Sequence, residues 1–195
     1  MPKFAANLTM LYTEVPFVER FAAAAASGFK GVEFLFPYEF EAADLARRLK
    51  AHGLVQVLHN LPAGDWAAGE RGIACLPGRE AEFRAGVEKA IGYAKALNCP
   101  QVNALAGIAP AGLDRKTAED VFVDNLRFAA DALEKAGIRL VIEPINNRVD
   151  IPGFFLNTTR QALGILDRVG HANLKIQYDI YHMQIMEGDL ARTMK

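Results

Sequence analysis

Two carboxylates and a histidine stand at positions where acid–base or metal chemistry could be built. Glu143 follows the apolar run Leu140-Val141-Ile142 and precedes Pro144, a residue that ends a strand and fixes the backbone just beyond the carboxylate. Asp179 closes a second run, Ile176-Gln177-Tyr178, with His182 three residues further on. If these runs are neighbouring parallel strands, Glu143 and Asp179 project from the same rim. Two carboxylates that close repel each other unless a cation or a shared proton lies between them. Oxygen donors favour a divalent metal of the Mg2+ or Mn2+ kind over zinc or copper. Such an ion can polarise a carbonyl and stabilise an enediolate while a carboxylate moves a proton between adjacent carbons. Further polar residues end other apolar runs: Asn7, Glu33, His59-Asn60 and Asn103, with Arg148 in the loop beyond Glu143. Plainer readings stand beside these. A strand-end Glu can serve a salt bridge, Asp179-x-x-His182 can cap the next helix, His59 can be a packed structural histidine, and Arg148 can be solvated.

The elements that must position these groups alternate along the chain. Short β-branched or aromatic runs begin near Phe4, Gly31, Leu54, Gln101, Arg139 and Leu174, and each is followed by a longer segment at helical spacing. The first helical face carries Val18, Phe21, Ala22 and Ala25, and the second Leu45, Ala46 and Leu49. The third, from Arg79 to Leu97, carries Phe83, Val87, Ile91, Ala94 and Leu97. The fourth runs from Thr117 to Ala136 with Phe122, Leu126, Ala129 and Leu133 inward, and Thr117 with Asp120 is its capping signal. The fifth starts at Asn157-Thr158 and closes at Gly170, and a sixth is expected after Met183. Connections this long exclude hairpins and give a parallel sheet flanked by helices. An open nucleotide-binding sheet would show a glycine-rich turn after its first strand, whereas Asn7 to Tyr12 contains no glycine. Polar residues at many strand ends are instead how a (β/α)8 barrel assembles its site. The segment from Leu61 to Arg79, which includes Trp66, is long for a connection and is expected to form an active-site loop.

Barrels run to ~250 residues, and this chain has 195. The expectation is a single domain over residues 1–195 holding about six βα units, with the C-terminal units missing and the edges of the first and sixth strands exposed. Such edges favour association, so a homo-oligomer is possible on this reading. Hydrophobic residues are 51% and charged residues 23% of the chain, an ordinary globular balance. A net charge of −1 gives no footprint for nucleic acid. The sequence has no apolar stretch of ~20 residues to cross a membrane. The N-terminus lacks the apolar core of a signal peptide, and Cys75 and Cys99 read as reduced thiols, so a cytoplasmic setting is expected.

Particular stretches closely resemble the hydroxypyruvate isomerase family, among the xylose-isomerase-like barrels. They are Ile142 to Arg148, Ile151 to Asn157 and Gln177 to Gln184, joined by Arg71 to Arg79 and Leu97 to Asn103. The resemblance implies interconversion of hydroxypyruvate and 2-hydroxy-3-oxopropanoate, a small hydroxy/oxo acid substrate and a divalent metal, Mg2+ or Mn2+. It implies that Glu143 is the proton donor and acceptor and also a metal ligand, that Asp179 is a metal ligand, and that His182 contacts substrate. His59, Asn7 and Arg148 complete the expected substrate-binding set. A Gln on a seventh strand and a second catalytic Glu on an eighth belong to the family pattern and are not matched in this sequence. Neighbouring readings are a 2-oxo-tetronate isomerase, a ketose 3-epimerase, or a non-catalytic barrel that binds a sugar acid or a partner protein.

Overall fold

A computed structural model describes residues 2–194. Six strands form one parallel sheet in strict sequence order. They are β1 (Ala5–Asn7), β2 (Gly31–Glu33), β3 (Val55–Asn60), β4 (Gln101–Asn103), β5 (Arg139–Ile142) and β6 (Leu174–Ile176). The helices that return the chain are α1 (Arg20–Ala26), α2 (Ala42–Ala51), α3 (Glu80–Leu97), α4 (Arg115–Lys135) and α5 (Thr159–Val169). Two more, α6 (Ile180–Met186) and α7 (Leu190–Thr193), follow β6. Each strand pairs with the next in sequence, which is the topology of a barrel wall. Among the described residues, β1 and β6 have a neighbour on one side only.

The core lies between the strands and the helical layer. Phe122, Leu126, Ala129 and Leu133 of α4 are wholly buried, and Phe83, Val87, Ala94 and Leu97 do the same for α3. In α1 the buried pair is Phe21 and Ala24, while Ala22 faces solvent, because a seven-residue helix offers only a narrow inward stripe. Among the described residues no helix is long and apolar enough to cross a membrane.

Two helix starts differ from the sequence expectation. Thr117 does not cap α4; Asp114 does, accepting from the Thr117 backbone N–H at 2.9 Å and from its hydroxyl at 3.1 Å. An aspartate at that position meets the unpaired N–H groups of the first turn directly, so α4 begins earlier than Thr117. The sixth helix does not wait for Met183. It starts at Ile180, because the Asp179 carboxylate caps it through Tyr181 N at 2.8 Å and His182 N at 3.2 Å. The fifth helix agrees with its expected ends: Thr158 caps it, and Gly170 closes it in the left-handed conformation at φ +67°.

Two features of the fold bear on the rim. The β2–β3 pairing shifts register between Val32 and Glu33, so that Val32 sits opposite Gln56 but Glu33 sits opposite Leu58. One extra residue on β3 exchanges its two faces. Further on, the long loop expected over the rim is stitched to the β4 loop by a bridge between Gly72 and Ala106. Gly72 has φ +113°, and a Cβ there would lie 2.3 Å from the Leu105 carbonyl oxygen, so only glycine permits this approach. Arg79 closes the loop's base through Glu70 at 2.7 Å and Glu82 at 2.5 Å.

Cys75 and Cys99 are free and buried, and burial pushes each thiol up to about 12. Neither should react with a thiol reagent at neutral pH until the chain unfolds, and unfolding should release both; fast labelling of the native protein would contradict this burial. Asp114→Ala should cost about 1 kcal/mol of stability through loss of the α4 cap, read as a lowered urea midpoint with an unchanged slope.

Candidate active site

The carboxyl ends of the strands surround a cavity of about 640 Å3. Its border includes residues from the start and the end of the sheet, Asn7 and Glu33 on one side and Glu143, Asp179 and His182 on the other. The sheet is therefore curled, as a barrel wall is.

Glu143 follows β5 and is 8% exposed. Asn103 at the end of β4 donates from Nδ2 to Glu143 Oε2 at 3.1 Å and to Asn60 Oδ1 at 3.2 Å. The register shift in β3 puts Asn60 on the face where it can meet Asn103. Burial pushes the Glu143 carboxyl up to about 8, helped by the negative charges of Asp179 and Glu33, while hydrogen bonds from Gln177 and Asn103 pull it back. Asp179 divides its carboxylate: Oδ1 caps α6, and Oδ2 lies 3.9 Å from His182 Nε2. Asp179 therefore caps the helix with one oxygen, and its other oxygen faces His182 at the cavity. Ligand-capable atoms of Glu143, Asp179 and His182 all lie within 4.8 Å of one another.

Across the cavity, Asn7 Nδ2 donates to Glu33 Oε1 at 2.9 Å, and Asn7 Oδ1 accepts from Thr9 N at 3.0 Å. Burial raises the Glu33 carboxyl, the Asn7 hydrogen bond opposes that rise, and the charge of Asp179 adds to it. Trp66 also borders the cavity, with Phe36 at a ring separation of 5.0 Å and the Arg71 guanidinium over its face at 4.2 Å.

Two of the expected substrate contacts are held by other residues, one at the cavity border and one away from it. His59 borders the cavity, but its Nδ1 is engaged by the Tyr38 hydroxyl at 3.3 Å and the Asn60 carbonyl at 3.1 Å. Successive strand residues face opposite ways, so turning Asn60 toward Asn103 turns His59 toward Tyr38. Burial lowers this imidazole to about 4, which keeps it neutral. Arg148 is not brought to the cavity. It is exposed and donates to the Ile185 carbonyl at 2.7 Å near the end of α6, where orphan carbonyls attract a cation.

Sequence reasoning left three participants without a role. Tyr38 holds His59 from a loop with no strand-end signal, whereas Asn146 and Asp150 stand in the segment after Glu143 and gather around His182. The signal for the latter pair was present: polar residues in the loop next to a catalytic candidate. Their partner on α6 is supplied only by folding.

The residues fit a divalent cation. Two carboxylates converge, one of them disfavoured as an anion by burial and by its neighbours' charge, and the buried acceptors Asn103 Oδ1 and Gln177 Oε1 have no partner. Four carboxylates, Glu33, Glu143, Asp150 and Asp179, border the cavity, and among the described residues no Lys or Arg does.

Comparison with known proteins places this geometry. A family model described as a xylose isomerase-like TIM barrel matches residues 21–195. The chain is 57% identical over 194 residues to the hydroxypyruvate isomerase of Escherichia coli, covering all of this chain and 75% of that protein. It is 53% identical over 195 residues to the 2-oxo-tetronate isomerase of Cupriavidus necator, again covering 100% and 75%. A crystal structure from Brucella melitensis, described as an AP endonuclease of family 2, superposes with a TM-score of 0.97 at 53% identity, covering 100% of this chain and 74% of that one. The D-psicose 3-epimerase of Clostridium cellulolyticum shares the fold, with a TM-score of 0.77 at 18% identity over 95% of this chain and 66% of the other. The parallel wall, the strand-end carboxylates and these matches agree: the chain belongs to the xylose isomerase-like TIM barrel family, among its sugar-acid isomerases.

Proposed function

We propose that this site interconverts hydroxypyruvate and 2-hydroxy-3-oxopropanoate by moving a proton between adjacent carbons. The observation that carries the reading is the convergence of the buried strand-end Glu143 with Asp179 and His182, whose ligand-capable atoms lie within 4.8 Å of one another. A carboxylate positioned beside the reacting carbons can both take and return a proton. In this scheme Glu143 removes a proton from the hydroxymethyl carbon and delivers one to the adjacent carbonyl carbon. The hydroxyl proton passes from one oxygen to the other, and atoms balance without any oxidant or reductant. In this reading His182, beside Asp179, hydrogen-bonds a substrate oxygen, and Trp66 forms an aromatic wall of the cavity.

Glu143 and Asp179 are the residues that would hold a divalent cation, Mg2+ or Mn2+, which when bound would supply the positive charge that an enediolate and a substrate carboxylate need. The charge balance of the cavity makes that need specific. Its border carries the four carboxylates and no cationic side chain among the described residues, so an anionic substrate meets repulsion there unless the ion is present. The same acidity opposes a nucleic-acid backbone, which requires Lys or Arg contacts.

A four-carbon substrate is the second reading, supported by the 2-oxo-tetronate isomerase relative. Steady-state assays on both substrates, with Mg2+ or Mn2+, separate the two. Higher kcat/KM on hydroxypyruvate supports the first; turnover confined to 2-oxo-tetronates would replace it with the second.

Glu143→Gln should lower kcat by about 10²–10⁴, the usual contribution of a positioned acid–base group, while the variant remains folded. Chelation should abolish substrate binding as well as turnover, a distinction that calorimetric titration with and without EDTA can make. The Glu143 carboxyl also links stability to pH. In the folded chain without a cation its proton is held up to about 8, against 4.5 for an ordinary glutamate. Its contribution to stability is complete below the lower value and is lost as pH rises through the upper one. In EDTA, Tm should fall across that window, and Glu143→Gln should flatten the fall.

A further inference from the structure

We infer that Asn146 is a positioning residue that locks His182 in the tautomer with its proton on Nε2. A hydrogen-bond donor, and not a metal-ligating lone pair, then faces Asp179 and the cavity. Asn146 is wholly buried in the segment after Glu143. Its Oδ1 accepts two backbone N–H groups, from Val149 at 3.0 Å and from Asp150 at 3.1 Å. A backbone N–H can only donate, so the atom that meets them must be the amide oxygen. The Nδ2 group consequently points the other way, where it donates to Asp150 Oδ2 and lies 2.9 Å from His182 Nδ1.

An amide nitrogen has hydrogens and no acceptor capacity. A proton on His182 Nδ1 would set two donors against each other at 2.9 Å, so Nδ1 carries the lone pair and accepts from Asn146. In a neutral imidazole the proton is then on Nε2, the nitrogen 3.9 Å from Asp179 Oδ2. Among the described residues the acidic group near Nδ1 is Asp150, whose Oδ2 lies 3.6 Å away, beyond direct hydrogen bonding. Asp150 is already supplied with donors, by Asn146 at Oδ2 and by the Tyr181 hydroxyl at Oδ1, 3.3 Å away. The backbone turn at Val149 and Asp150 thus sets the amide, and the amide sets the imidazole.

The consequence for catalysis rests on the isomerase reading: a neutral His182 with Nε2–H stabilises negative charge on a substrate oxygen and leaves the cation to the carboxylates. The tautomer itself does not depend on that reading and can be observed without substrate, so failed turnover and a wrong tautomer are separate results. The test is nitrogen-15 NMR of the imidazole-labelled chain at about pH 8, above the ordinary histidine range, with the His182 signals identified by their loss in His182→Gln. The inference expects an unprotonated Nδ1 and a protonated Nε2, unchanged on saturation with Mg2+. It also expects Asn146→Asp to place a proton on Nδ1, because the substitution keeps the turn's acceptor and replaces the amide donor. A protonated Nδ1 in the wild-type chain, loss of the Nε2 proton on adding Mg2+, or an unchanged tautomer in folded Asn146→Asp would each overturn it.

Discussion

Four carboxylates gather at the mouth of the sheet, among the described residues no Lys or Arg borders the same cavity, and much of the structure answers to that constraint. Glu143 lies under the rim with Asp179 and Glu33 close enough to raise its carboxyl. Isolated in a low-dielectric pocket, such a group either keeps its proton or waits for a cation. Both states are useful to an enzyme that moves a proton beside a developing oxyanion. The surrounding amides make the arrangement tolerable: Asn103 holds Glu143 and Asn7 holds Glu33, each from the end of a neighbouring strand.

The scaffold supplies rigidity where this charge is placed. Parallel strands in sequence order put the polar strand ends on one rim, and the helices bury the opposite faces of the wall. The shifted register between β2 and β3 decides which of two adjacent polar residues joins the network: Asn60 meets Asn103, and His59 is left to Tyr38. The loop carrying Trp66 is tied down on its C-terminal side, by the Gly72 approach to Leu105 and by Arg79 with Glu70 and Glu82. An aromatic wall is thereby fixed beside the carboxylates instead of being left to a free loop.

On the β5–α6 side, one residue can serve fold and chemistry at once. Asp179 caps α6 with one oxygen and turns the other toward the cavity, so the orientation of the helix and the direction of a cavity carboxylate are set by the same side chain. The cap in turn fixes where His182 stands, a turn of helix away, opposite Asn146 and Asp150. Arg148 closes the other end of α6 through Ile185, which is a structural use of a residue whose charge suggested an anion site.

Much of this was legible in the sequence because it is local. Strand–helix alternation follows from hydrophobic period, and the polar groups ending the apolar runs mark the rim, so Glu143, Asp179 and His182 could be chosen by position alone. Helix stops at glycine and the cap at Thr158 are equally local. What needed the tertiary structure depends on contacts between distant segments. The sharing of Asp179 between cap and site, the turning of His59 toward Tyr38 by a one-residue register shift, and the diversion of Arg148 to α6 are decided by which side chains meet across elements. Hydrophobic patterning determines which segments become strands and helices. It does not determine the register between strands or the direction of a polar side chain at the rim, because those are chosen by partners that only the closed packing brings within hydrogen-bonding distance.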